Sequence, residues 1–137
     1  MSKEEKELLL KDISARLPYG VWVKDIHTNI IRKLSNIVVY PLYDDNNIKD
    51  YICSIKMFDD HYVDIEYIRL FLYPLSSMTE EQKEEYSNLL DDILDDFGHS
   101  AHFDTIESID WLYEHHFDIH GLIPLGLAID CTNLNIY

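Results

Sequence analysis

Residues 31–57 read IRKLSNIVVYPLY (31–43), DDNN (44–47) and IKDYICSIKM (48–57). The first piece is rich in β-branched and aromatic side chains, which suit a pleated, half-buried surface, so it predicts a long strand from Ile31 to Tyr43. Asp44-Asp45-Asn46-Asn47 is turn chemistry, because short Asx side chains bond back to their own backbone and tolerate left-handed conformations. Tyr51, Cys53, Ile55 and Met57 then alternate with Ile52, Ser54 and Lys56, the period-2 pattern of a second strand. A strand, a turn and a strand in the middle of the chain commit it to an antiparallel sheet.

Working outward, Ser2 with Glu5 three residues on is a capping box. It opens a helix to about Leu17, with Leu9, Leu10, Ile13 and Leu17 on one side, stopped by Pro18 and Gly20. Val21 to Ile26 reads as a further strand. Tyr62 to Tyr73 fits two patterns: Val63, Ile65 and Tyr67 alternate as in a strand, whereas Ile65, Ile68 and Leu72 suit a short helix. Thr79 with Gln82 is a second capping box. The helix it opens runs to Phe97, with Tyr86, Leu89, Leu90, Ile93, Leu94 and Phe97 in one stripe and Gly98 placed to end it. Asp104 with Glu107 opens another helix to about His116, with Ile106, Ile109, Tyr113 and Phe117 on one face. Gly121 to Tyr137 reads as extended chain or a short edge strand. The expected fold is α+β: one domain over residues 1–137, an antiparallel sheet of three to five strands, an N-terminal helix and two C-terminal helices packed on it.

Charge divides the 137 residues. Up to Lys83 there are 11 basic and 14 acidic side chains; beyond it there are 12 carboxylates, five histidines and no Lys or Arg, which together give the net charge of −15. With no cluster of Lys and Arg to meet phosphates, direct binding of nucleic acid or an anionic membrane is not expected. No apolar run approaches the ~20 residues that span a bilayer, and Met1 to Lys11 has neither the basic start nor the apolar length of a signal peptide. Two cysteines, Cys53 and Cys131, fit a reduced cytoplasmic setting.

The helix from Thr79 to Phe97 concentrates the charge. Glu80, Glu81, Glu84, Glu85, Asp91, Asp92, Asp95 and Asp96 fall opposite its apolar stripe. Four like-charge pairs stand at i,i+4, each costing roughly 0.2–0.5 kcal/mol, and the helix dipole opposes Asp95 and Asp96 at the C-terminal end. A solvated face kept for solubility is one reading. The other is a binding face formed by Glu84, Glu85, Asp91, Asp92, Asp95 and Asp96. Trp111, off the apolar stripe of its own helix, would join them if exposed; otherwise it belongs to a second packing layer. Regularly spaced carboxylates can imitate a phosphate lattice and occupy a basic groove.

His99 and His102 follow this helix, and His115, His116 and His120 the next. Imidazoles beside carboxylates can bind a transition metal, so His99 and His102 with a nearby Asp are metal candidates, against a set of surface histidines. Neither HExxH nor a paired CxxC accompanies them. Cys53, Ser76-Ser77 and the Gly121–Leu127 stretch have no catalytic or nucleotide-binding context.

Three segments carry a resemblance: Tyr73-Pro74-Leu75-Ser76-Ser77-Met78-Thr79-Glu80-Glu81, Ile109-Asp110-Trp111-Leu112, and His116-Phe117-Asp118 with Gly121-Leu122-Ile123-Pro124. By these the chain resembles an uncharacterised family of short acidic proteins from gut anaerobic bacteria and their phages or mobile elements. That family's usual residue at position 120 is basic, and His120 departs from it. The resemblance implies a setting, a mobile-element protein that binds a host protein, and no catalytic residue or cofactor. The leading expectation is therefore a non-enzymatic cytoplasmic module that binds a basic protein surface, as a nucleic-acid mimic or anti-defence factor. A metal-dependent enzyme using a His/Asp cluster and a structural or oligomeric accessory protein are the alternatives.

Overall fold

A computed structural model describes residues 1–57, 62–97 and 106–137; the side chains of residues 42, 44, 48–54, 57 and 91–97 lie outside the description. Helix α1 (Lys3–Arg16) starts at the expected capping box. Glu5 N–H donates to Ser2 Oγ at 3.1 Å and Ser2 N–H to Glu5 Oε1 at 3.2 Å. A single 3-10 turn (Leu17–Tyr19) follows, and Gly20 at φ 73° reverses the chain in the left-handed region that favours glycine.

Strands β1 (Trp22–Asp25), β2 (Ile31–Asp44), β3 (Asn47–Met57), β4 (Tyr62–Asp64), β5 (Ile68–Leu72) and β6 (Ala128–Asp130) form one sheet in the order β4-β3-β2-β1-β5-β6. The long strand pair is as read from the sequence. Its two-residue turn, Asp45 and Asn46, has φ of 47° and 69°, the paired left-handed geometry that matches strand twist. A register shift between Leu34 and Asn36 matters for packing. The extra residue, Ser35, lets Leu34 and Ile37 both face the core, although an odd separation would otherwise put them on opposite sides. Ser35 Oγ donates to the Lys56 carbonyl at 2.9 Å beside the bulge.

The segment Tyr62–Tyr73 contains both expected patterns in succession: β4, a 3-10 turn (Ile65–Tyr67) and β5. Asp64 caps that turn by accepting the Glu66 N–H at 2.9 Å. Two features correct the sequence reading. The sheet has six strands, and it is mixed, because β6 lies parallel to β5 with Leu70, Phe71 and Leu72 opposite Ala128, Ile129 and Asp130. Parallel neighbours need a crossover. Here it is built from helices α2 (Glu80–Phe97) and α3 (Ile106–Glu114), and it returns the tail to the sheet edge.

Leu9 and Ile13 of α1 pack on Val21, Val23, Ile68 and Leu70 of the sheet, with Leu122 and Leu127 of the tail closing the same core. A second cluster joins α3 to α2 and β5: Trp111, Leu112 and Phe117 pack with Tyr73, Tyr86 and Leu89. The α3 stripe differs from the one expected. Ile106 is 80% exposed, whereas Ser108, Trp111, Leu112 and Tyr113 are buried. α3 is covered from two directions, by α1 and by α2, so no single stripe describes its buried surface. The Asp104 cap and the Gly98 stop fall outside the described residues.

Candidate functional site

Helix α2 begins at its capping box: Gln82 N–H donates to Thr79 Oγ1 at 3.2 Å and Thr79 N–H to Gln82 Oε1 at 2.9 Å. Tyr86 and Leu89 turn inward, and the Tyr86 ring lies 5.7 Å from that of Trp111. This anchoring turns the opposite side outward. Glu80, Glu81, Glu84 and Glu85 are all exposed. Lys83 reaches Glu80 at 3.1 Å, with both side chains largely in solvent, and such a pair contributes about 0–1 kcal/mol. Three basic groups of the first half are engaged elsewhere: the N-terminus and Lys6 approach Glu66, and Arg16 pairs with Asp12. Glu107, Asp110 and Glu114 add a second exposed acidic line along α3. Its field reaches Tyr19, whose phenol is raised above its ordinary range first by burial and then by Asp110 and Glu114.

Of the binding face expected from sequence, Glu84 and Glu85 stand on the surface as read. Asp91, Asp92, Asp95 and Asp96 belong to α2, but their side chains lie outside the description, and so do His99 and His102 entirely. Trp111 is a correction. It is 7% exposed, stacked between His115 (4.1 Å) and Phe117 (5.9 Å). The helical wheel placed it off the stripe correctly, but α2 covers that side, so Trp111 lacks the exposure that the binding face required of it and packs against Tyr86 and Leu89.

Among the described residues no group of three or more His, Cys, Asp or Glu is arranged to hold a metal ion. The three described histidines of the second half are each engaged within the protein. His115 Nδ1 lies 2.8 Å from the Trp111 carbonyl. His120 Nδ1 lies 2.8 Å from Asp12 Oδ2. His116, at φ 63°, stacks on Tyr137 with 3.6 Å between ring centres. Burial, then the charges of Arg16, His115 and Lys33, push the His116 pKa down to about 4, so its ring is neutral at neutral pH. The Tyr137 hydroxyl accepts the Trp22 N–H at 3.0 Å and donates to the Phe71 carbonyl at 2.8 Å, tying the last residue across β1 and β5.

Sequence reasoning missed the ion cluster at the centre. Arg16 and Asp12 are both fully buried. Arg16 Nε and Nη2 donate to the two Asp12 oxygens at 2.5 and 3.1 Å, and Nη2 also donates to the Phe117 carbonyl at 2.6 Å. The guanidinium lies over the Tyr113 ring, 4.9 Å from its centre. Four parts of the chain meet at this pair: α1, α3, the Phe117 turn and the His120 loop. The available signal was an Asp and an Arg at i,i+4 on the first helix, a spacing equally typical of surface pairs. Chemically the cluster is committed to structure, since both Asp12 oxygens are engaged. The one described thiol, Cys131, is pushed up to about 11 by burial and then by Asp130, so it is not a nucleophile at neutral pH.

In comparisons with known proteins, no family model, no curated protein and no solved structure matches this chain.

Proposed function

We propose that this protein is a non-enzymatic interaction module that docks the carboxylates of α2 onto a basic protein surface. The observation that carries this reading is the exposed quartet Glu80, Glu81, Glu84 and Glu85, on a helix whose other side is anchored by Tyr86 and Leu89. Glu80/Glu84 and Glu81/Glu85 are like-charge i,i+4 pairs that destabilise the isolated helix. A cationic partner relieves that repulsion on binding. In this reading Asp91, Asp92, Asp95 and Asp96 extend the same charged side along the helix, which then offers a basic groove what a phosphate backbone offers. That is the behaviour of a nucleic-acid mimic, or of an anti-defence factor of a mobile element. Its setting is the cytoplasm, where a buried free thiol such as Cys131 stays reduced. No observation favours a His/Asp metal enzyme over this reading.

The test is capture from bacterial lysate on immobilised protein at low salt, followed by elution with salt. A Glu84→Lys/Glu85→Lys/Asp91→Lys/Asp92→Lys variant that folds as the wild type should lose the captured protein. Capture that survives the reversal would remove α2 as the docking element.

A further inference from the structure

One face of the sheet lies outside the main core; at the end where Tyr137 bonds Trp22 and Phe71 it is closed, with Phe71 buried, and beyond that it carries basic and aromatic side chains. Residues directly opposite across paired strands share a face. Lys33 opposes Trp22, Ile31 opposes Lys24, and Lys24 in turn opposes Arg69 on β5. Lys56 opposes Tyr62, with its ammonium 5.7 Å from the ring centre. Because Val23, Leu34, Ile55 and Leu70 point into the core, the alternating positions Trp22, Lys24, Lys33, Lys56 and Arg69 fall on the other side. Tyr62 is 53% exposed and Lys33 is exposed, while Trp22, Lys24, Lys56 and Arg69 are half-buried. The described carboxylate on this side, Asp64, is engaged with the Glu66 N–H. A strongly acidic chain thus keeps a basic, aromatic sheet face and an acidic helix on different elements.

We infer that this sheet face receives α2 of a second copy of the chain, so that the protein associates head to tail. The inference rests on the reading of α2 as the docking element and names a partner for it. Charge complementarity commits the occupant: Glu80, Glu81, Glu84 and Glu85 meet Lys24 and Lys33, beside Arg69, whose Nη1 already donates to the Glu66 and Ile68 carbonyls at 2.9 and 2.8 Å. The spacings agree as well. Glu80 and Glu84 are about 6 Å apart along the helix axis, and diagonal neighbours such as Lys24 and Lys33 on adjacent strands are about 7–8 Å apart. Trp22 and Tyr62 supply the aromatic anchors that concentrate binding energy in interfaces. The repulsion between two chains of charge −15 is screened beyond about 8 Å at physiological ionic strength, while the facing charges are in contact. Since donor and acceptor faces differ, the contact is heterologous and builds open chains or a ring rather than a two-fold dimer.

Sedimentation velocity across micromolar to submillimolar protein tests this with three proteins: wild type, Lys24→Glu/Lys33→Glu and Glu84→Lys/Glu85→Lys. The wild type should rise to at least twice the monomer mass at about 50 mM salt and fall back to monomer at about 500 mM. Each variant alone should stay monomeric. An equimolar mixture of the two should associate again, because each then meets a face of opposite sign. The milder Lys24→Gln/Lys33→Gln replaces the sheet variant if circular dichroism shows that the reversal disturbs folding. A wild type that is monomeric throughout, variants that associate like the wild type, or a mixture that stays monomeric each overturns the inference. A monomeric wild type that still captures a foreign protein through Glu84 and Glu85 overturns self-association and leaves the reading of α2 intact.

Discussion

His120 is held 2.8 Å from Asp12, 108 residues earlier in the chain, and the same carboxylate is bound by Arg16 from one turn further along α1. This contact joins the first helix to the loop that leads into the last strand. Because Asp12 and Arg16 are both fully buried, removing one partner leaves the other as an uncompensated charge. Asp12→Asn should therefore destabilise the protein by about 3–5 kcal/mol. The double change Asp12→Leu/Arg16→Met should cost less than Asp12→Asn alone. Urea unfolding of the two variants checks the order; the reverse order would mean that the pair contributes more through its geometry than through mutual neutralisation.

His116 gives the protein a dependence on pH. Its pKa is lowered from 6.5 to about 4 in the folded state. The unfolded chain therefore binds the extra proton first. Stability from this group is full above pH 6.5 and is lost as pH falls from there towards 4. His116→Asn keeps a residue that tolerates the φ of 63° and removes the titration. Urea midpoints measured between pH 4.5 and 6.5 should rise with pH in the wild type and flatten in the variant. An unchanged slope would assign the dependence to another group.

Glu84→Lys separates stability from binding. It turns the repulsive Glu80/Glu84 pair into an attractive i,i+4 pair with Glu on the N-terminal side, which should stabilise the protein by about 0.5–1 kcal/mol. The same change should weaken capture of a basic partner. A thermal melt and a binding assay on one preparation read the two effects. A loss of both stability and binding would indicate that Glu84 serves the fold.

Trp111 is buried, but its Nε1–H has no partner among the described residues. Trp111→Ala should cost about 3–5 kcal/mol through the cavity it leaves. Trp111→Phe should cost far less, since it keeps most of the stacking on His115 and removes an unsatisfied donor worth about 1–3 kcal/mol. Equal losses in chemical denaturation would show that the indole hydrogen bonds to something.

Local chemistry made much of the fold legible. The Ser2/Glu5 and Thr79/Gln82 boxes formed as read, the turn expected over residues 44–47 closed on its middle two residues, and the strand expected around Ile55 paired with β2; each acts within a few residues. What sequence could not give depends on distant partners. The parallel place of β6 needs the whole α2–α3 crossover. The burial of Trp111 needs α2 on its far side. Nothing local marks Asp12 and Arg16 as a buried pair, because the Phe117 carbonyl and His120 that complete their shell lie more than a hundred residues away. For the candidate site, the exposure of Glu84 and Glu85 followed from the stripe opposite them, whereas the basic sheet face emerged only once the register of β1, β2 and β5 was fixed.

The account turns on attraction between α2 and a cationic surface. The most direct measurement is the dissociation constant of the captured partner as a function of salt, for the wild type and for Glu84→Lys/Glu85→Lys. The account predicts steep weakening of wild-type binding as salt rises, and a variant whose binding is weak at every salt concentration. Tight binding that ignores salt, or that is the same in both proteins, would contradict it.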